Sequence, residues 1–60
     1  MEFEVYVDRA NQWRWRMLAN NHRIIGDSGE SYHHRSDCEA MVDWIKKNAL
    51  TAPVRVKATS

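Results

Sequence analysis

The sequence has few of the residues that cross-link or interrupt a small protein. Its 60 residues include one cysteine, one proline and two glycines. The lone Cys38 excludes an intramolecular disulfide, and a chain this short buries only about 60% of the surface that its unfolded form exposes. Aromatic packing and oligomerisation remain as ways to recover the missing stability. We therefore expect a single domain over residues 1–60 that is marginally stable alone and gains stability by self-association.

An excess of either charge is also missing, since nine Lys and Arg residues stand against eight Asp and Glu residues, for a net charge of +1. Such a balance does not by itself indicate a nucleic acid, a membrane or an acidic partner. No stretch approaches the roughly 20 apolar residues that cross a bilayer, and no apolar secretory signal follows Met1. The sequence therefore predicts a cytoplasmic protein without a membrane partner.

Strict two-residue alternation is the strongest pattern that is present. In Trp13-Arg14-Trp15-Arg16-Met17-Leu18 the tryptophans and Met17 fall on one face of a β-strand, and the arginines fall on the other. Residues 2–8 alternate in the same way, with Phe3, Val5 and Val7 on the apolar face. Residues 8–11 are polar and typical of a turn, so the two strands are expected to form an antiparallel hairpin.

Asparagines mark the next turn. Asn20-Asn21 tolerates the left-handed backbone that a type I′ turn requires at both central positions. This pair predicts a second hairpin into a third strand over residues 22–27, which carries Ile24 and Ile25. Gly26 indicates a bulge in that strand, and residues 28–31 form the loop that ends the sheet.

A capping box predicts the start of a helix. In Ser36-Asp37-Cys38-Glu39 the serine accepts from the Glu39 backbone N–H while the glutamate reaches back. Apolar residues then recur at helical spacing to Ala49, and two lysines occupy the last turn, where cations are favoured. Trp44 lies off that apolar stripe, so that it either folds over the edge of the core or meets a second subunit. After a turn, Val54, Val56 and Ala58 alternate with polar residues and predict a short final strand, the polar residues being Arg55, Lys57 and Thr59.

These elements predict an α+β fold of order β-β-β-α-β, in which an antiparallel sheet packs one helix on one face. The outer face of the sheet then pairs acidic and arginine side chains across strands, each pair contributing about 0.2–1 kcal/mol. The predicted core comprises Phe3, Val5, Trp13, Trp15, Met17, Ile25, Met41, Val42 and Ile45.

The motifs resemble those of the YegP-like family of small uncharacterised prokaryotic proteins. The resemblance covers residues 3 to about 49 and rests on the Trp13–Arg16 run, Asn20-Asn21, Ile24-Ile25, the loop from Asp27 to Tyr32, the Ser36 helix start and Lys47-Asn48-Ala49. The family usually has glycine where this chain has Asn21 and Ser31. The resemblance implies a unit that pairs with a second copy by exchanging its last strand, hence a homodimer. It implies no established activity and no cofactor.

The first functional hypothesis is a self-associating module with a binding or accessory role toward a small ligand or a protein. Tyr32, His33, His34 and Arg35 are its candidate contact residues, because an aromatic ring, two imidazoles and a guanidinium adjoin a helix start that attracts anions. The structural alternative is that Tyr32 packs on the core and bonds to nearby backbone while the histidines are solvated.

The second hypothesis is single-stranded nucleic-acid binding through the sheet. Its candidate contacts are Arg14, Arg16, Arg55 and Lys57, together with Arg23, because basic residues interleaved with aromatic rings are what single-strand binders use. The acidic residues of the first strand oppose this hypothesis, because they offer the arginines partners within the sheet.

Metal binding and catalysis have the weakest basis. His22, His33, His34 and Cys38 have no recognised zinc spacing, and adjacent histidines in an extended segment point in opposite directions. Cys38 falls on the apolar stripe of the helix, where a thiol is a small buried hydrophobe; exposed at a helix N-terminus, its pKa would instead be lowered. We therefore expect no enzyme, no metal site and no cofactor.

Overall fold

Two hairpins build the sheet, as the alternating patterns predict. The structure is a computed structural model that describes residues 1–58. It has three antiparallel strands in the order β1-β2-β3, with β1 at Glu2–Val7, β2 at Trp13–Leu18 and β3 at Ile24–Asp27. A helix, α1 at Arg35–Asn48, and a short 3₁₀ helix at Ala49–Thr51 complete the described elements. Three antiparallel strands and one helix confirm the α+β class.

The register of the first hairpin separates two faces. Phe3 lies opposite Met17, and Val5 lies opposite Trp15, so that apolar side chains meet on the face that α1 covers. The Phe3 and Trp15 rings pack edge to face, with their centroids 5.7 Å apart. Glu4 lies opposite Arg16 on the other face, as expected.

The first hairpin closes through a three-residue loop, residues 9–11. The Asp8 N–H donates to the Gln12 carbonyl at 2.8 Å, and the Asn11 N–H donates to the Asp8 carbonyl at 3.0 Å. Asn11 has a φ of 62°, so that the loop ends in a left-handed residue. This is the form that three-residue hairpin loops favour.

The second hairpin repeats that backbone and corrects the type I′ prediction. Residues 20–22 form its loop: the Ala19 N–H donates to the Arg23 carbonyl, and the His22 N–H donates to the Ala19 carbonyl. His22 takes the left-handed position, with a φ of 64°, whereas neither asparagine has a positive φ. The loop has three residues because β3 begins at Ile24, two residues later than predicted, so that Arg23 closes the loop.

A bulge beside Gly26 explains why the core prediction was wrong for Ile25. Met17 lies opposite Gly26, while Leu18 lies opposite Ile24, which leaves Ile25 as the extra residue of β3. Such a residue has no cross-strand partner. Ile24 and Ile25 are each 54% exposed, and Leu18, absent from the predicted core, is buried instead.

The start of α1 also differs from the prediction. The N-cap is His34 rather than Ser36, and no side chain caps the helix. Glu39 does not reach back to a backbone N–H, because its carboxylate accepts from Arg35 Nε at 3.1 Å, one turn earlier. At fourteen residues, α1 is too short to cross a membrane, and the described part of the chain holds no other helix that could.

The core under α1 is small. Among residues 1–58, the apolar side chains classed as buried are those of Leu18, Cys38 and Val42. The remaining predicted core residues, apart from Ile25, are half-buried: Phe3, Val5, Trp13, Trp15, Met17, Met41 and Ile45. Trp44 is 61% exposed, so that it does not fold over the edge of the core; whether it meets a second subunit stays a prediction.

The final strand does not form within the single chain. Residues 52–58 (the tail) follow the 3₁₀ helix without pairing to any strand of the described residues. A strand needs a neighbour for its backbone N–H and C=O groups, and one copy places none beside this segment. Exchange of this strand between two copies stays a prediction at this point.

Candidate interaction surfaces

The outer sheet face carries two of the nucleic-acid candidates, Arg14 and Arg16, and both are paired with carboxylates. Arg14 Nε donates to Asp8 Oδ2, and Arg16 Nε donates to Glu4 Oε1, each at 2.6 Å. The Arg16 guanidinium also lies over the Tyr6 ring, 4.5 Å from its centroid. Guanidinium groups held in this way do not form a free basic platform for phosphates.

The Asp8 carboxylate has a structural role on this face. Its Oδ1 accepts from the Ala10 and Gln12 N–H groups at 2.9 and 3.0 Å, while Oδ2 binds Arg14. The Gln12 N–H, followed by the Arg14 side chain, lowers the pKa of Asp8 below its ordinary value. The same contact raises the pKa of Arg14. The pair therefore holds the first loop to β2.

Arg55 and Lys57, two further nucleic-acid candidates, lie in the tail. The structure does not join them with Arg14 and Arg16 into one surface, because the tail pairs with no described strand. Their neighbours Val54 and Val56 are 92% and 90% exposed. The tail is therefore an extended segment in which exposed apolar and basic side chains alternate.

The loop candidates divide into anchored and exposed residues. Tyr32 forms an antiparallel backbone bridge with Trp13, in which each N–H donates to the carbonyl of the other residue at an N···O distance of 2.8 Å. Arg35 lies 5.9 Å from the centroid of the Trp13 ring. His33 and His34 are exposed and directly precede α1. Whether these four residues bind a ligand stays a prediction.

The Tyr32 hydroxyl is hydrogen-bonded within its own loop, and its surroundings change its pKa. It donates to Glu30 Oε1 at 2.9 Å, and burial, together with that carboxylate, raises the pKa of Tyr32. The Trp15 indole N–H lies near this phenol and acts on its pKa in the opposite direction. Yet that N–H is buried and makes no hydrogen bond within the described residues. An unpaired buried donor of this kind costs about 1–3 kcal/mol.

Cys38 is buried completely, with no exposed surface. Burial, followed by the nearby Glu39 carboxylate, raises the pKa of its thiol. The thiol therefore lacks the lowered pKa that an exposed helix N-terminus would give it. Within residues 1–58, no three His, Cys, Asp or Glu side chains gather where they could hold a metal ion.

Sequence reasoning missed a groove between the free edge of β1 and α1. Its volume is about 530 Å³. Its apolar floor consists of Phe3, Val5 and Val42, and its charged rim of Glu2, Glu39, Asp43 and Lys46. The sequence did contain one signal for this groove: the charged residues of β1 are all acidic, and the same fold was predicted to contain an amphipathic helix. We call this site the β1 groove.

Comparisons with known proteins identify relatives along most of the chain. The profile of the domain of unknown function DUF1508 matches residues 8–55. A UPF0339 protein of Neisseria meningitidis serogroup B is 40% identical over 55 residues, which is 92% of this chain and 96% of that protein. A UPF0339 protein of Treponema denticola is 36% identical over 53 residues, or 88% and 90% of the two chains. These names state no catalytic activity.

A solved structure matches the fold. The solution NMR structure of a protein from Haloferax volcanii superposes with a TM-score of 0.86 and is 38% identical in sequence. The match covers 93% of each chain. Neither this structure nor the sequence relatives give support to nucleic-acid binding.

Proposed function

The chain belongs to the DUF1508 family, the YegP-like proteins that its motifs resemble, and we propose that it is a self-associating binding module. In this proposal two copies form a homodimer in which each gives its tail to the sheet of the other as a fourth strand. The module then binds a further small molecule or protein rather than catalysing a reaction. The lone Cys38, free in the structure, supports a cytoplasmic location, where thiols stay reduced.

The exposed tail carries this proposal. Val54 and Val56 leave more than nine-tenths of their surface in solvent, although they stand two residues apart as the apolar face of a strand does. Burying two such side chains is favourable, at about 25 cal/mol per Å² of apolar surface. A single copy has no described strand beside them, so that a second copy is the natural source of one.

The small core points the same way. Among residues 1–58, three apolar side chains are buried, and the other predicted core residues are half-buried or, at Ile25, exposed. A domain of this size without disulfides or a metal commonly relies on oligomerisation. Two-fold symmetry lets one segment cover both incomplete cores, because each copy gives and receives the same strand.

Light scattering across a dilution series tests the proposal. We expect the full chain to show twice the monomer mass of 7.1 kDa. A chain that ends at Ala52 is expected to be monomeric or unfolded. A double variant, Val54→Asp with Val56→Asp, separates these outcomes, because it keeps the full length and charges the face that is to be buried. Its dimer should dissociate at concentrations at least roughly tenfold higher than those of the unchanged chain.

Leu50→Asp is the matched control, because Leu50 is 94% exposed and lies before the tail. It changes an apolar side chain to the same charge and should leave the dimer intact. A full chain that stays at monomer mass at every concentration would contradict self-association. A double variant that dimerises like the full chain would contradict a role for the tail.

A further inference from the structure

We propose that a pocket beside Trp15 binds a small, apolar, uncharged amide, whose carbonyl oxygen accepts hydrogen bonds from the Trp15 indole N–H and the Ser28 hydroxyl. This site, which we call the Trp15 pocket, is lined by residues of β2, of α1 and of the loop after β3. Its volume is about 390 Å³, and pockets of about 300–1,000 Å³ are usual for small molecules. The inference rests on the binding role in the proposed function and does not depend on the dimer.

Two hydrogen-bond donors of the Trp15 pocket have no acceptor among residues 1–58. The Trp15 indole N–H is buried and unpaired. Ser28 is 4% exposed, and its Oγ accepts from the Trp15 backbone N–H at 3.3 Å, while its own proton is given to no described acceptor. The larger β1 groove contains no such donor among its described residues. Because buried donors are nearly always paired in folded proteins, we infer that the acceptor comes from a ligand.

The Tyr32 side chain lies close to the indole donor, and its rotation opens the way to it. The indole nitrogen is covered, and the Tyr32 hydroxyl is near enough to act on it. That hydroxyl donates to Glu30, which is exposed, so that the hydrogen bond contributes little to stability. The backbone of Tyr32 is fixed separately by its bridge to Trp13. The ring can therefore turn outward while the loop backbone stays in place.

The rest of the lining selects the class of ligand. Met41 and Ile45 lie one turn apart on α1 and give the pocket an apolar side. Glu30 is the charged member of the described lining, and its negative charge opposes an anionic acceptor such as a carboxylate. Its Oε1 accepts from Tyr32, which leaves Oε2 for the N–H of an amide. An apolar amide thus offers a carbonyl to the buried donors and an N–H to the carboxylate.

The indole signals in a proton–nitrogen correlation NMR spectrum test the inference directly. The chain has three tryptophans, and the variants Trp15→Phe and Trp44→Phe assign their signals. Caprolactam, a cyclic amide without an aromatic ring, is titrated into the full isotope-labelled chain. We expect the Trp15 indole proton to move to higher frequency, because it gains an acceptor. Trp44 is the internal control, since it is 61% exposed and lies outside the Trp15 pocket, and its signal should stay in place.

Two related probes test the part that Glu30 plays. N-methylcaprolactam keeps the carbonyl and lacks the N–H, so that it should bind roughly threefold to tenfold more weakly than caprolactam. Hexanoate carries a carboxylate and should leave the Trp15 signal in place at the same concentration. Glu30→Gln removes the negative charge and keeps the size of the side chain. In this variant the affinity for hexanoate should rise and approach that for caprolactam.

A pair of serine variants tests the second donor. Ser28→Ala removes the buried hydroxyl and should weaken caprolactam binding roughly threefold to tenfold. Ser31→Ala is the matched control, because it makes the same change at an exposed position of the same loop. Its affinity should change at most about twofold. Circular dichroism checks that both variants fold, and the signal of the unchanged chain keeps the test valid if Ser28→Ala does not.

The outcomes separate this inference from the proposed self-association. A dimer whose Trp15 signal stays fixed with every probe contradicts the inference alone, and water or the chain itself then satisfies the indole. A monomer whose Trp15 signal moves with caprolactam contradicts self-association alone. Equal binding of hexanoate and caprolactam to the unchanged chain contradicts selection by Glu30. A selective movement of the Trp15 signal that Ser28→Ala weakens and Ser31→Ala does not supports the inference.

Discussion

The two hairpin loops have the same backbone and different side-chain support. Both end in a left-handed residue after three positions, and both show the same pair of backbone hydrogen bonds. In the first loop, Asp8 binds two loop N–H groups and Arg14. In the second loop, Asn21 Oδ1 accepts from the Arg23 N–H at 3.0 Å, and His22 takes the left-handed position. The same turn is therefore held firmly by one sequence and weakly by the other.

The position of each loop in the fold explains why the two loops differ in side-chain support. The first loop connects the two strands whose side chains pack beneath α1, and its position fixes the register of that pair. The second loop connects β2 to a four-residue strand that is exposed throughout. Asn20 receives a hydrogen bond from the amino group of Met1, which ties the second loop to the start of β1. The first loop therefore has more side-chain hydrogen bonds to its own residues than the second.

Removing the carboxylate of Asp8 should have the largest effect on this difference. Asp8→Ala leaves the Ala10 and Gln12 N–H groups and Arg14 without their partner, and we expect the melting temperature to fall by many degrees. Thermal unfolding followed by circular dichroism at one fixed protein concentration measures it. Asp8→Asn keeps an oxygen for the two N–H groups and loses only the ion pair, so that its decrease should be smaller. Equal decreases would mean that the ion pair alone supports the loop.

Acid should weaken the first loop selectively. Because the pKa of Asp8 is lowered from 3.8 in the folded chain, its ionised form stabilises the fold. That contribution is fully present above pH 3.8 and is lost as the pH falls through the lower folded pKa. Urea unfolding at a series of pH values should therefore show a steeper loss below pH 3.8 for the unchanged chain than for Asp8→Asn. Parallel curves would show that Asp8 titrates alike in both states.

Relief of backbone strain in the second loop should give the smallest change and the opposite sign. His22→Gly is expected to raise the free energy of unfolding by about 0.5–1 kcal/mol, because glycine adopts a positive φ without a steric cost. Asn11→Gly is the matched change in the first loop and should gain less, since asparagine tolerates this conformation. Chemical denaturation of both variants measures the difference. A greater gain at Asn11 would reverse the order of strain between the loops.

Local patterns predicted the elements well because each depends on nearby residues. Alternation placed β1 and β2 within a residue of their ends, and the apolar stripe, which runs to Ala49, placed the end of α1 within a residue, whereas the predicted N-cap Ser36 lies two residues after the observed one. The predictions of the turn type and of the helix cap were wrong, because both depend on contacts that the propensities of neighbouring residues do not describe. His22 rather than Asn21 is left-handed because β3 begins late, and Glu39 binds Arg35 instead of a backbone N–H.

The candidate surfaces were harder to predict, because they depend on what lies beside each strand. Pairing of Arg16 with Glu4 follows from register and was expected, whereas the β1 groove exists only once α1 has settled against β1 and left its edge open. The exposure of Ile25 follows from a bulge that adds one residue to β3. The extended tail follows from the lack of a neighbour in one copy. Each of these is a long-range property of the fold.

Because the Cys38 side chain is completely buried, its reaction with a thiol reagent reports the separation of α1 from the sheet. An alkylating reagent in excess can reach this sulfur only in molecules where α1 has moved off the sheet, because in the closed form the thiol is buried and that burial also raises its pKa. Since the sequence holds a single thiol, each chain gains one adduct or none. The mass spectrum of a quenched sample therefore counts the molecules whose helix has detached at least once since the reagent was added, and the growth of that fraction with time measures how readily the helix opens.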